Sequence, residues 1–122
     1  MRNFSEPHDP HSGYVYIFHV HRSDSSYPYK EPTPTKIGFC HWRQGEPGWV
    51  TVDRRLRDIQ RHHWEYLLPW NSKALDAANL EEYIIHCKYK KYRIKGEWFN
   101  LTFRQIKNIK KYLNSQVNSE LF

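Results

Sequence analysis

The 122-residue sequence has only two cysteines and no long hydrophobic run. Cys40 and Cys87 lie far apart and form no CxxC pair, which argues against a disulfide framework and a zinc knuckle. No stretch approaches the roughly 20 apolar residues that a membrane-spanning helix needs. The polar N-terminus, MRNFSEPHDPHSG, does not resemble a signal peptide. We therefore expect a cytoplasmic protein that does not act in a membrane.

Acidic residues are fewer than basic ones, 13 against 19, which leaves a formal net charge of +6. Such an excess favours a polyanionic partner, because phosphates neutralised by Lys and Arg release their counterions. Aromatic residues are plentiful, with 5 Trp, 9 Tyr and 6 Phe, so the core is expected to depend on rings. A charged fraction of 26% beside 39% hydrophobic residues is typical of a globular chain.

The composition along the chain predicts one domain, over residues 13–115, between a flexible arm (1–12) and a short tail (116–122). The run GYVYIFHVH is rich in β-branched and aromatic residues and predicts a strand. Both faces of that strand are largely apolar, so it is expected at the centre of a sheet. Residues 22–35 contain three prolines and predict an extended loop, before a second strand over 35–40.

The rest of the chain predicts three helices and one more strand, followed by a short extended piece. The predicted segments are a helix over 52–63, a strand over 64–70, a helix over 73–90 with Ser72 as its N-cap, an extended piece over 96–101, and a last helix that opens with a capping box of Thr102 and Gln105. We expect an α/β fold, with a small, three-stranded, mainly antiparallel sheet flanked by helices.

The first predicted helix carries four arginines, which helical geometry separates into two groups. At about 100° per residue, three of them fall opposite the apolar stripe of Leu56 and Ile59. Arg55 alone lies beside that stripe and is directed toward the protein body. A snorkelling arginine at a helix edge is the simpler interpretation of this position.

The second predicted helix carries a carboxylate, Glu82, on a narrow polar stripe that also contains His86. Apolar surface flanks this stripe on both sides, and an acid there is costly unless it is paired or bound to a metal. An ordinary surface pair of Glu82 and His86, four residues apart, is the alternative.

Five segments then follow in a set order: GYVYIF, KIG, an Arg-Leu pair on a helix, E-x-x-x-H and GEWF. This order resembles the GIY-YIG nuclease superfamily, most closely its phage and fungal branch, in which the second motif reads KIG and a GEWF box closes the domain. The resemblance covers about residues 13–101.

The resemblance implies a catalytic centre of Tyr16, Arg55 and Glu82, with Lys36 and His86 beside it and Tyr14 as the reserve for Tyr16. In the implied mechanism, Glu82 binds one Mg²⁺ or Mn²⁺ ion, and Arg55 holds the scissile phosphate through its guanidinium fork. Tyr16 takes a proton from the attacking water. Its pKa, ordinarily about 10, would have to be lowered, and Lys36 is the expected source of the positive charge.

Two further groups are candidates for nucleic-acid binding. Trp42 and Trp49 are predicted in a loop beside the site and suit base stacking, although they suit a local cap on the sheet equally well. Arg104, Lys107 and Lys111 share the outer face of the last helix, where they form either a phosphate-contacting surface or an ordinary solvated one.

The expected function is metal-dependent, endonuclease-type hydrolysis of phosphodiesters in nucleic acid, with DNA favoured as substrate. The alternative is a GIY-YIG-like domain without catalysis that binds nucleic acid or blocks a protein, such as a phage-encoded inhibitor. The loop over residues 22–35 is the expected contact for a protein partner.

Overall fold

A computed structural model describes residues 12–21 and 31–116. Most of the predicted arm (1–11), most of the predicted partner loop (22–30) and most of the predicted tail (117–122) lie outside the described residues. Within the described ranges, no helix is long and apolar enough to cross a membrane.

The centre of the fold is a five-stranded antiparallel sheet in the order β3-β1-β2-β5-β4. Its strands are β1 (Gly13–Val20), β2 (Thr33–His41), β3 (Leu67–Leu68), β4 (Arg93–Lys95) and β5 (Trp98–Leu101). The prediction of a three-stranded sheet is therefore wrong, although the α/β class fits. The missing strands form a hairpin, β4–β5, that adds to the free edge of β2. Its outer strand has three exposed residues and thus lacks the apolar alternation by which a strand is recognised.

β1 is an interior strand of the sheet, between β3 and β2, as its two apolar faces predict, and all eight of its residues are buried. Val15 and Ile17 face one hydrophobic core, and Tyr14, Tyr16 and Phe18 face the other. The sheet therefore separates two sides, which we name the valine side and the tyrosine side after these residues.

Three helices cover the two sides of the sheet, and a short 3-10 turn (Lys90–Tyr92) follows the second. The helices are α1 (Gly48–Arg61), α2 (Ala78–Lys88) and α3 (Phe103–Asn114). α1 packs on the tyrosine side through Val52, whereas α2 and α3 pack on the valine side through Ile85 and Ile109.

Two helices and two strands begin at residues other than those predicted. The strand predicted over 64–70 is reduced to Leu67–Leu68. α1 begins four residues early, because Pro47 at its N-cap is extended and its carbonyl accepts hydrogen bonds from Val50 and Thr51. β2 begins at Thr33 rather than Thr35, so the predicted loop ends sooner.

α2 begins at Ala78, five residues later than predicted, and Ser72 does not cap it. The preceding segment instead pairs with the edge of β1, where Leu75 exchanges two backbone hydrogen bonds with Gly13. The Ser72 hydroxyl accepts a hydrogen bond from the Val15 N–H at 3.0 Å. The segment before Ala78 thus uses its backbone hydrogen bonds on the edge of β1, although its sequence predicted a helix from residue 73.

The predicted capping box of α3 is confirmed. The Thr102 hydroxyl accepts from the Gln105 N–H at 3.2 Å, and the Gln105 side chain accepts from the Thr102 N–H at 2.8 Å. Local hydrogen bonds alone determine this helix start, so the sequence predicts it well.

A polar cluster at the open edge of the sheet

The candidate site lies where β5 leaves the edge of β2. The last β2 residue that pairs with β5 is Lys36, opposite Trp98, so beyond it the edge of β2 has no strand partner among the described residues. At Ile37 the backbone still has partners: its N–H donates to the backbone carbonyl of Glu97 at 3.0 Å, and its carbonyl lies 2.8 Å from Nε2 of His86. Residues of the tyrosine side and of α2 can therefore meet at this edge.

Gly38, the glycine of the KIG segment, makes room for the polar cluster. It pairs with Tyr16 across β1 and β2. A Cβ at this position would lie 2.3 Å from the Tyr16 hydroxyl oxygen and 2.9 Å from Oε1 of Glu97, closer than side-chain carbons approach. Only glycine allows these two polar groups to rest on the backbone of β2.

Glu97 joins the cluster, although its place in the sequence predicted no role for it. Its Oε1 accepts a hydrogen bond from the Tyr16 hydroxyl at 3.3 Å and lies 3.2 Å from Nζ of Lys36. Gly96 precedes it with φ of 55°, a left-handed conformation that closes the β4–β5 hairpin and returns Glu97 toward β2. The sequence signal that could have identified Glu97 is its place directly after Gly96, the turn glycine of the GEWF segment.

Tyr16 is fully buried, with its ring stacked on Phe18 at a centroid distance of 4.4 Å. Burial and the nearby Glu97 carboxylate raise the pKa of its hydroxyl above the ordinary value, and the opposing effect of Arg55 is smaller. The expectation of a lowered pKa is therefore wrong. The physical reason is first the burial of the phenol and then the Glu97 carboxylate, which lies 3.3 Å from the hydroxyl; the ammonium of Lys36 is paired with that same carboxylate.

Arg55 lies over the ring of Tyr16, with its guanidinium carbon 5.9 Å from the ring centroid. All four arginines of α1 are exposed, but the other three form ion pairs at the surface: Arg54 with Glu46, Arg57 with Asp53, and Arg61 with Asp58. Helical phase thus separates Arg55 from its neighbours in the way that the sequence indicates.

Glu82 reaches the same cluster from α2 on the valine side. Burial, the largest cause, and the neighbouring Glu97 carboxyl together raise the pKa of its carboxyl to about 7, against the smaller opposing effects of Lys36 and the Phe39 backbone. One oxygen, Oε2, is buried and has no hydrogen-bond partner among the described residues. A buried acceptor without a donor is costly, so this position suits a proton or a cation.

Two of the other predicted site residues have structural contacts. The ring of His86 packs on Phe99, with the ring centroids 4.9 Å apart, and its Nε2 lies 2.8 Å from the Ile37 carbonyl of β2. His86 is therefore directed to the sheet and does not form the predicted alternative, a surface pair with Glu82. Tyr14 is buried beneath the start of α1, where a Cβ on Gly48 would lie 2.5 Å from its ring. His86 therefore anchors α2 to the open edge, and Tyr14 lies against α1.

The residues predicted to bind nucleic acid are spread over the molecule. Trp42 is half-buried against the tyrosine-side core, whereas Trp49 is 68% exposed and belongs to the first turn of α1 rather than to a loop. The basic residues of α3 are exposed on the valine side of the sheet, across from Arg55 and Tyr16; they are Arg104, Lys107 and Lys111. The structure does not bring these groups together into one surface.

The fold and the cluster define a small α/β domain with an arginine, a lysine, a tyrosine and two carboxyl groups gathered at one sheet edge. The family model of the T5orf172 domain matches residues 13–114, so the chain belongs to the T5orf172 domain family. This domain is found in phage and fungal proteins and is associated with nuclease-type folds and with a nuclease-like or DNA-binding role. No curated protein and no solved structure matches the chain.

Proposed function

We propose that the protein hydrolyses phosphodiester bonds in nucleic acid, with DNA as the expected substrate, through a metal-dependent site of the GIY-YIG type. The observation that carries the proposal is the meeting of Tyr16, Lys36, Glu82 and Glu97 at the open edge of β2, with Arg55 over Tyr16. These groups supply a phosphate ligand, a hydroxyl and a carboxylate within one cluster.

The donor set fits a hard divalent cation such as Mg²⁺ or Mn²⁺. Glu82 would hold it, because its buried Oε2 has no donor and a carboxylate oxygen is the ligand that such ions prefer. The described residues contain no group of three or more His, Cys, Asp or Glu side chains that could hold a metal. An ion held by Glu82 alone would have to keep most of its waters, as Mg²⁺ does. When bound, it supplies charge stabilisation and an acidified water.

The other residues position the substrate and the attacking water. The Arg55 guanidinium, fixed at the edge of the tyrosine side, would hold the phosphate through two parallel hydrogen bonds. The Tyr16 hydroxyl donates to Glu97, which orients it and leaves its oxygen lone pairs to accept a hydrogen bond from water. Lys36 forms an ion pair with the same Glu97 oxygen, Oε1, and would hold this carboxylate in place.

One observation favours a second function, a domain that binds nucleic acid without cleaving it. Tyr16 has no exposed surface, so water reaches its hydroxyl only if Arg55 or Glu97 moves aside. In a binding domain these contacts would be permanent and would stabilise the fold. The two functions therefore differ in whether the cluster opens when metal and nucleic acid bind.

The deciding experiment uses Glu82→Gln, with Glu81→Gln as the matched control on the same helix. Plasmid and single-stranded DNA are incubated with each protein, with and without Mg²⁺ or Mn²⁺, and melting temperatures are recorded under the same conditions. We expect Glu82→Gln to abolish cleavage and to retain or tighten DNA binding, because a negative charge near the phosphates is lost. Glu81 accepts a hydrogen bond from Tyr112 at 2.6 Å, away from the cluster, so its variant should still cleave.

Metal should raise the melting temperature of the wild type and of Glu81→Gln but not that of Glu82→Gln. A wild-type protein that binds DNA, cleaves none of it and shows no metal-induced rise would overturn the catalytic proposal and support the binding domain.

A further inference from the structure

A second polar cleft opens directly beside Arg55, between the end of β2 and α1. It has a volume of about 150 Å³ and is lined mainly by polar side chains, among them three arginines from two different segments: Arg43, Arg54 and Arg55. Arg43 follows β2, whereas the other two belong to α1. Cationic groups that converge from separate segments onto one concave surface favour an anionic ligand.

The charges of this cleft are only partly compensated by the protein. Arg54 donates two hydrogen bonds to Glu46, of 2.9 and 3.0 Å. These bonds are the main reason that the pKa of the Glu46 carboxyl is lowered to about 2. Asp58, the acid in the lining, is paired with Arg61 at 3.6 Å. Arg43 and Arg55 form no salt bridge within residues 12–21 and 31–116. Two guanidinium groups without an ion pair among these residues therefore line one cleft, although Glu46 lies near Arg43 and Glu97 near Arg55.

Arg55 belongs both to this cleft and to the polar cluster at the sheet edge. Its guanidinium carbon lies 5.9 Å from the ring centroid of Tyr16, and its side chain also lines the cleft with Arg43. A strand that places one phosphate beside Arg55 and Tyr16 therefore has its neighbouring backbone within reach of Arg43. The planar fork of a guanidinium matches two phosphate oxygens, which makes arginine better suited than lysine to this task.

We propose that the cleft binds a backbone phosphate of the nucleic-acid strand, next to the phosphate at Tyr16, with Arg43 as its main ligand. The proposal rests on nucleic acid as the ligand of the proposed function, but it does not require cleavage. Arg54 is a positioning residue here, because its pairing with Glu46 fixes the loop that carries Arg43 to the start of α1.

The test compares Arg43→Ala with Arg57→Ala, which removes an exposed arginine of α1 that does not line the cleft. Binding to a fluorescent single-stranded oligonucleotide is measured in EDTA over a range of KCl concentrations. Arg43→Ala should weaken binding about tenfold at low salt, the usual worth of a charge-assisted hydrogen-bonding contact. It should also reduce the salt slope by about one, as expected when one phosphate contact is lost. Arg57→Ala should leave the slope unchanged.

A third variant, Arg43→Lys, separates charge from shape: it should restore the salt slope but not the full affinity, because an ammonium lacks the fork. Equal losses from Arg43→Ala and Arg57→Ala would overturn the proposal, as would a wild type that does not bind the oligonucleotide. Inorganic phosphate forms a separate arm. If it raises the melting temperature of the wild type but not of Arg43→Ala, while both bind the oligonucleotide equally, the cleft is a site for free phosphate and the proposal fails.

Because this binding is measured without metal, the result is independent of catalysis. A wild type that shows the Arg43 effect but never cleaves DNA would remove the proposed hydrolysis and keep the phosphate site. If the wild type and Arg43→Ala cleave DNA at the same rate and bind it equally well, the proposed hydrolysis stands and the phosphate site at Arg43 is ruled out.

Discussion

Glu82 and Glu97 place two carboxyl groups side by side at the open edge of β2, and the buried oxygen of Glu82 lacks a donor. In the metal-free protein this arrangement favours the protonated form of Glu82. A divalent cation would relieve the same repulsion, so a proton and a metal ion would compete for one position. The ionisation of this single residue is therefore expected to affect both stability and metal binding.

The stability of the metal-free protein should depend on pH through Glu82. Its pKa is about 7 in the folded chain against an ordinary value of 4.5. A raised pKa means that the folded state binds its proton more tightly, so this stabilisation is complete below about pH 4.5 and is lost as the pH rises through about 7. Glu82→Gln, which cannot ionise, should melt higher than the wild type above pH 7, with a gap that shrinks toward pH 4.5.

Melting curves in EDTA from pH 4.5 to 8 measure this gap, with Glu81→Gln as the control that should follow the wild type. A constant difference between Glu82→Gln and the wild type at every pH would show that folding does not raise the pKa of Glu82.

Arg55 provides a second prediction at the scale of one residue. Arg55→Ala should reduce cleavage by orders of magnitude, because its guanidinium is the one that α1 directs to Tyr16. Arg57→Ala should cost only a few-fold, since that side chain is exposed and paired with Asp53. Initial rates on the same DNA substrate measure both. Similar losses from the two variants would make Arg55 one surface charge among several.

Among the secondary-structure elements, the β4–β5 hairpin is decisive for the site. It closes at Gly96 and delivers Glu97 to the edge of β2, where the Glu97 carbonyl accepts from Ile37. A hairpin with three exposed residues in its outer strand has few apolar contacts of its own. Its conformation depends on the turn, and the turn depends on glycine.

Gly96→Ala should therefore destabilise the protein and impair catalysis together. A non-glycine residue in the left-handed region costs about 1–2 kcal/mol, and here the strain falls next to Glu97. Gly45→Ala is the matched control, because Gly45 also has a positive φ, of 73°, and open space around it, but lies in the loop before α1. Since that loop also carries Arg43, both variants are assayed at saturating DNA, where a change in affinity does not affect the rate. Both variants should lose similar stability in urea titrations, and only Gly96→Ala should lose cleavage out of proportion.

If the two glycine variants cleave DNA at the same rate, the hairpin turn does not position Glu97 for catalysis. The assignment of Glu97 to the catalytic cluster would then have no support from this element.

Elements defined by local signals were predicted well, and those defined by pairing were not. The capping box of α3 and the interior position of β1 follow from nearby residues, and both are confirmed. Ser72 has the chemistry of an N-cap, but its hydroxyl binds the backbone of β1, 57 residues away. The β4–β5 hairpin likewise becomes part of the sheet only because β2 offers a free edge.

At the scale of the whole molecule, the sheet separates two basic regions. Arg55 and the adjoining cleft lie with α1 on the tyrosine side, and the outer face of α3 lies on the valine side. A strand bound at the polar cluster therefore does not have to cross α3. The basic residues of α3 would contribute to nucleic-acid binding through general attraction or through a more distant part of the duplex.

Replacing Arg104, Lys107 and Lys111 together with Ala tests this division. We expect weaker DNA binding for all sequences and a flatter salt dependence, because up to three phosphate contacts are lost. The cleavage rate at saturating DNA should stay unchanged, since these residues are on the far side of the sheet from Tyr16. An unchanged salt slope would show that the α3 face is an ordinary solvated surface.

The sequence by itself predicted candidate side chains for the chemistry and some of the local structures that hold them. Helical phase directed Arg55 inward, and the order of the segments selected Tyr16 and Glu82. Only the tertiary structure decided how these residues interact: it brought in Glu97 through the hairpin and reversed the expected shift of the Tyr16 pKa. The physical reason is that burial and charge pairing depend on residues distant in sequence, such as Lys36 and Glu97, which are separated by most of the domain but lie 3.2 Å apart at one sheet edge.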